Sequence, residues 1–99
     1  MSEMETHWRK GMVDCGVPDH MHDGIILYLK DGIEPGNFMR AVLENNLMEA
    51  MGAADHINRG RMFNICQFMY SYAPSQSHGS RERVAAWLEA RRQKQEAHG

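Results

Sequence analysis

The sequence predicts an all-α fold, a small bundle of about four helices, and three observations carry that expectation. Apolar residues recur three and four apart along several stretches, which places them on one face of a helix. Residues that start helices, among them Asp19, Pro35, Asp55 and Ser80, stand just before those stretches. No stretch makes a convincing strand.

Taken in order, residues 1–17 read as an irregular polar lead-in anchored by Trp8, because Gly11, Gly16 and Pro18 argue against a long regular helix there. The first helix spans about 19–30. Asp19 is its N-cap, a carboxylate that accepts from the free N–H groups of the first turn. Met21, Gly24, Ile25, Tyr28 and Leu29 form its apolar face. IILYL at 25–29 also suits a short strand, but the cap before it and KDG after it favour helix. DGIEPG at 31–36 is a turn. Pro35 has no N–H to leave unpaired and opens the second helix. That helix carries Phe38, Met39, Val42, Leu43, Leu47, Ala50 and Met51, and ends near Gly52–Ala54. Asp55 or Asn58 caps the third, whose stripe is Met62, Ile65, Cys66, Met69, Tyr70 and Tyr72, with Gly60 weakening its start. APSQSHGS at 73–80 is a loop. Ser80 caps the last helix, Glu82 lies in its positive first turn, and Val84, Trp87, Leu88 and Arg91 face inward. Residues 93–99 are expected to fray.

The 99 residues make a single domain, 1–99. A chain of this size buries roughly 60–65% of its unfolded surface, so homo-oligomerisation is a natural way to bury more. Nine methionines are unusual; Met fills irregular gaps and adaptable contact surfaces. The net charge of −2 argues against a DNA or RNA partner. The Arg- and Lys-rich tail is interleaved with Glu82, Glu89 and Glu96, the pattern of a solvated helix face. Cys15 and Cys66, two cysteines without metal or redox spacing, point to a reducing, cytoplasmic setting. No signal peptide is visible, and no apolar run approaches the ~20 residues of a membrane span.

His20, His22 and Asp23 precede the first apolar run and are open to three readings. They suit metal, since imidazole and carboxylate bind zinc, but residues two apart on a helix diverge and no further ligands complete a set. They suit helix capping and surface decoration. They also suit a polar site in which His20 and Asp23, three apart, hydrogen-bond a ligand. In NFMRAVLENNLMEA, Asn37, Arg40 and Glu44 share a stripe. Asn is a poor residue inside a helix, so Asn45 and Asn46 are either merely exposed or read a ligand or a neighbouring subunit. The EPGNF step, with Gly36 allowing close backbone approach and Arg40 one turn on, suits a phosphate. Phe38, Tyr28, Tyr70, Tyr72 and Trp87 are candidates for stacking on a base, though two or three of them belong to the core. No nucleophile elbow, phosphate loop, zinc-protease motif or dinucleotide fingerprint is present, and Cys66 lies in an apolar stripe. The sequence therefore predicts a protein that is not an enzyme and needs neither metal nor cofactor.

HMHDGIILYLKDGIEPGNFMRAVLENNLMEAMGAAD, followed by YSYAPSQSHGSRERVAAWL, resembles a widespread family of small proteins of tailed bacteriophages and prophages. The frame is HDGI, PGxF, AVLxNxLxEAxGxAD and YxxP before a Gly-Ser and a Trp-containing helix, and it covers residues 20–88. Asn46 and Ala53 depart from it, where an acidic and a basic residue often stand. The resemblance implies a phage protein acting against host defence in the cytoplasm of an infected bacterium. One mode is an anti-CBASS sponge, an oligomer that withholds a cyclic dinucleotide such as cyclic GMP–AMP without cleaving it. His20, Asp23, Gly36, Asn37, Phe38, Arg40, Asn45 and Tyr72 would be its ligand residues, with Arg59 and Arg61 as further cations. The other mode is inhibition of a host enzyme or defence complex by direct protein binding, which predicts an exposed apolar or acidic patch; a third reading is a phage structural or regulatory accessory protein.

Overall fold

The computed structural model describes residues 3–98, apart from the side chains of 95–98. Met1, Ser2 and Gly99, at the ends of the expected lead-in and tail, lie outside the described residues, as do the side chains of Glu96 and His98. Every regular element among the described residues is helical. The order is α1 (Glu3–Cys15), α2 (Asp19–Ile26) with a π turn (Leu27–Asp31), α3 (Asn37–Leu43), α4 (Leu47–Ala53), α5 (His56–Gly60), α6 (Met62–Ser71) and α7 (Arg81–His98), with a 3-10 turn at Ser75–Ser77. The expected four helices are therefore seven, for three local reasons.

The first is that the expected lead-in is a helix. Trp8 and Met12, four apart, are buried on one face of α1. Glu5 is buried on α1 as well and pairs with Arg9 at 3.1 Å and Lys30 at 3.4 Å, which holds its carboxyl below the usual range, the Arg9 hydrogen bond being the main cause. The two glycines read as breakers have other tasks. Gly16 takes the left-handed conformation at φ 78° and stops the helix, with Gly16 N–H bonded to Val13 O and Val17 N–H to Met12 O, the paired bonds of a Schellman cap. Gly11 makes room for the ring of Tyr72, which lies 2.6 Å from where a Cβ would stand.

The second reason is the Asn pair. Asn45 adopts φ 63° and closes α3, its N–H reaching Val42 O and that of Asn46 reaching Ala41 O. Asn46 then caps α4, its side chain accepting from Glu49 N–H at 3.4 Å. Asn tolerates the left-handed region and leads the N-cap preferences, so one residue ends a helix and the next begins another. The third is Arg61, at φ −120°, which separates α5 from α6. Ser80 caps α7 through Arg83 N–H at 3.1 Å, as expected, whereas Asp55 caps the short α5 through Asn58 N–H at 2.7 Å and not the helix that carries the Met62 stripe. Asp19 is instead the first residue of α2 and makes no capping bond. Pro35 lies two residues before α3, whose N-cap is Gly36. α7 continues through the segment expected to fray.

Packing joins distant segments. α1 lies against α6 and α2, α3 against α4, and α7 against the π turn. Tyr28, on that turn and 1% exposed, donates its hydroxyl to Ser77 O at 2.7 Å, while its carbonyl accepts from Trp87 Nε1 at 3.2 Å. Gly32 closes the turn at φ 68° and touches α7 beside Arg91 and Leu88. Phe68, not Tyr70, is the aromatic that α6 contributes to the core: Phe68 is 0% exposed and Tyr70 88%.

His78 sits in the 73–80 loop, half-buried, beside Ser77 Oγ at 3.1 Å. Burial first, and then the charge of Arg83, hold its imidazole below the ordinary value of 6.5. The folded state thus favours neutral His78, and the unfolded chain binds the proton more readily. The stabilisation is complete above the unfolded value and is lost as pH falls through it toward the folded one. Thermal melts between pH 7.5 and 5 should show a decline that a His78→Gln variant reduces. An unchanged decline would assign it to other groups.

Candidate functional site

α2, α3 and α5 converge on a cavity of about 380 Å³, at the small end of the range of ligand sites. Its apolar wall comes from Met21, Ile25 and Phe38, and its polar lining from His20, Asn37, Asp55 and Asn58. α3 supplies Asn37 and Phe38 at its start, just after Gly36. α5 supplies Asn58, which the Asp55 cap holds in the first turn.

Asn58 is 5% exposed and its amide is only half used. Nδ2 faces the thioether of Met21 at 3.4 Å, a weak acceptor. Oδ1 is buried and, among the described residues, has no hydrogen-bond partner. A buried amide oxygen without a partner costs roughly 1–3 kcal/mol, a cost the fold carries in a residue that lines this cavity. At the rim His20 Nε2 stands 3.5 Å from Asp55 Oδ2.

Of the eight ligand residues expected from the sequence, four line this cavity: His20, Gly36, Asn37 and Phe38. The other four lie elsewhere. Asp23 pairs with Arg9 at 3.2 Å and ties α2 to α1. Arg40 is one turn beyond Asn37 but is held by Glu44 at 3.1 Å and by Glu34; these carboxylates raise its pKa further, the Glu44 hydrogen bond foremost. Its charge is already neutralised, and it faces neighbouring clefts rather than the cavity. Asn45 is the exposed left-handed residue just after the C-cap of α3, Glu44. Tyr72 lies against Gly11, with its ring centroid 5.9 Å from that of Phe68 and 5.4 Å from that of His7.

The phosphate seat expected at the EPGNF step is also altered, and the start of α2 offers no other. Asp19 places its own carboxylate in the first turn of α2, and α3 has only seven residues. His22 does not converge with His20; its Nε2 lies 2.9 Å from Val17 O. Among the described residues no three His, Cys, Asp or Glu side chains come together as a metal site would require. The thiols of Cys15 and Cys66 are both pushed up by burial and so held protonated. Among the described residues no helix is long and apolar enough to cross a membrane.

Sequence reasoning missed Asn58, Asp55 and Ala53 as lining residues. The one signal for Asn58 was an Asn three residues after a capping Asp, which reads as a second cap. Comparisons with known protein families, with characterised proteins and with solved structures find no match to the chain, so the reading of this cavity rests on its own geometry.

Proposed function

We propose that the protein binds and withholds a small ligand that presents a nucleobase-like head, without transforming it. The observation that carries this reading is the uncommitted Asn58 carbonyl beside a cavity that also holds the Asn37 amide and His20. A nucleobase offers what this lining lacks: a flat apolar body for Phe38, Ile25 and Met21, and an edge of adjacent donors and acceptors for the amides. A cavity of about 380 Å³ holds one base with its sugar rather than a whole cyclic dinucleotide. Within the anti-defence role suggested by the phage-like frame, a cyclic di-purine such as cyclic GMP–AMP would insert one base. Its phosphates would stay at the mouth, near His20, and a homo-oligomer would capture the second base. Arg40 has no part in this version.

Calorimetry with adenosine, guanosine and cyclic GMP–AMP tests the reading, with an Asn58→Leu variant beside the wild type. The wild type should bind at least one of them more tightly than about 100 μM, a free energy near −5.5 kcal/mol. Asn58→Leu should weaken that binding roughly ten- to a hundred-fold, for a lost buried hydrogen bond. The same change should raise the melting temperature, because it removes an unpaired polar atom. Opposite movements of affinity and stability would mark Asn58 as a ligand residue. If none of the three ligands binds, the cavity reading fails, and inhibition of a host protein by direct contact takes its place. The exposed apolar side chains Met48 and Ile57 favour that second reading.

A further inference from the structure

α6 is the one helix of the seven whose described residues include no charged side chain, Met62 to Ser71 reading MFNICQFMYS. Its inner side buries Ile65, Phe68 and Met69. Its outer side carries Phe63 and Tyr70, 77% and 88% exposed, with exposed Gln67 between them. Positions 63, 67 and 70 follow the i, i+4, i+7 spacing of a single stripe. A helix apolar on both sides is a buried helix, and α6 is buried on only one.

We propose that the outer face of α6 is a homodimer seam, in which two copies of the chain pair their α6 helices antiparallel about a two-fold axis near Gln67. Three observations favour a second copy as the occupant. The stripe is self-complementary: with the axis between positions 66 and 67, Phe63 of each copy meets Tyr70 of the other. Gln67, both donor and acceptor, lies beside the axis, where its amide can meet its own copy. Both copies carry the same net charge of −2, and α6, which has no charged side chain, lets them meet without opposing like charges. Finally, two aromatic rings this exposed offer roughly 300–400 Å², close to half of the ~800 Å² per partner of a standard interface, before Gln67 and the helix flanks are counted. Phe63, Gln67 and Tyr70 do not line the α2–α3–α5 cavity, so the seam stands or falls independently of the ligand.

Complementary charge variants test both the surface and its direction. The wild type should be dimeric by sedimentation equilibrium at micromolar concentration. Phe63→Lys and Tyr70→Asp, each alone, should weaken self-association at least about a hundred-fold, the loss expected of an aromatic hot spot, with unchanged circular dichroism. Mixed together, they should form a one-to-one heterodimer by native mass spectrometry. In an antiparallel seam, Lys at 63 of one chain meets Asp at 70 of the other, and the second Phe63–Tyr70 contact stays intact. A wild type that is monomeric at about 100 μM, or single variants that dimerise like the wild type, would overturn the proposal. A mixture that stays monomeric would overturn the antiparallel pairing. As a second measurement, Gln67→Cys in a Cys15→Ala, Cys66→Ala background should yield a disulfide-linked dimer on mild oxidation; failure to cross-link would also count against the axis near Gln67.

Discussion

A Phe68→Ala chain should lose roughly 3–5 kcal/mol of stability, the cost of truncating a fully buried aromatic. Phe68 is 0% exposed and stands in the core cluster with Trp8, Met12 and Ile65. Its ring stacks on Tyr72 at an interplanar angle of 10°, and Tyr72 in turn packs on Gly11 of α1. The cavity left by the missing ring would therefore open where α1 and α6 meet, a junction that neither helix can close without losing its other contacts. Small domains hold about 5–15 kcal/mol in all, so the variant should unfold at a much lower urea midpoint with little change of slope. A loss below about 1 kcal/mol would show that the core is centred elsewhere. Tyr70→Ala, on the other side of the same helix, should cost the isolated subunit almost nothing.

The second large effect is expected at Gly32. Two costs add there. A side chain in the left-handed region costs roughly 1–2 kcal/mol, and Gly32 sits at φ 68°. A Cβ would also stand 2.4 Å from Arg91 Cβ and 3.4 Å from Leu88 O. Arg91 Cβ is anchored to the helix and cannot swing aside as the end of a flexible side chain would, so α7 itself has to shift. Overpacking of this kind costs roughly 1–3 kcal/mol. Gly32→Ala should thus lose about 2–5 kcal/mol in total, and the Trp87 fluorescence should change in the folded state as the bond to Tyr28 O lengthens. A variant with native stability and unaltered emission would show that the π turn and α7 do not touch as described.

Much of the fold was legible because its signals are local. Asp55 and Ser80 cap helices as their residue types demand, and the apolar spacing of α2 and α7 points to the faces that are buried. What failed was the interpretation of residues with two possible uses. Gly16 reads as a helix breaker and in fact ends a helix, which hides α1 in the sequence. Asn45 and Asn46 read as exposed or as ligand-reading amides because Asn is unfavourable inside a helix; the pair marks a boundary between two helices instead. On α6, Phe68 and Tyr70 are both apolar and only two residues apart, and nothing local tells which faces α1.

The candidate site divides in the same way. His20, Gly36, Asn37 and Phe38 come from two neighbouring segments, and their convergence follows from the turn at 31–36. Asn58 and Asp55 join them only because the chain breaks at Asn45–Asn46 and α4 carries α5 back toward α2, which no residue-level pattern announces. Arg40 reads as a phosphate cation from its charge alone, and the carboxylates that neutralise it, Glu34 and Glu44, stand six and four residues from it in the sequence.

The contact between Gly11 and Tyr72 also limits how the sequence can drift. Alanine is the easiest substitution for a glycine in the middle of a helix and would favour α1 by roughly 0.5–1 kcal/mol, yet the Tyr72 ring, 2.6 Å from the missing Cβ, forbids it. The same change becomes favourable once position 72 carries a smaller side chain. Two positions 61 apart in the chain are therefore coupled: Gly11→Ala alone should destabilise the protein, and the same change beside a smaller side chain at 72 should not.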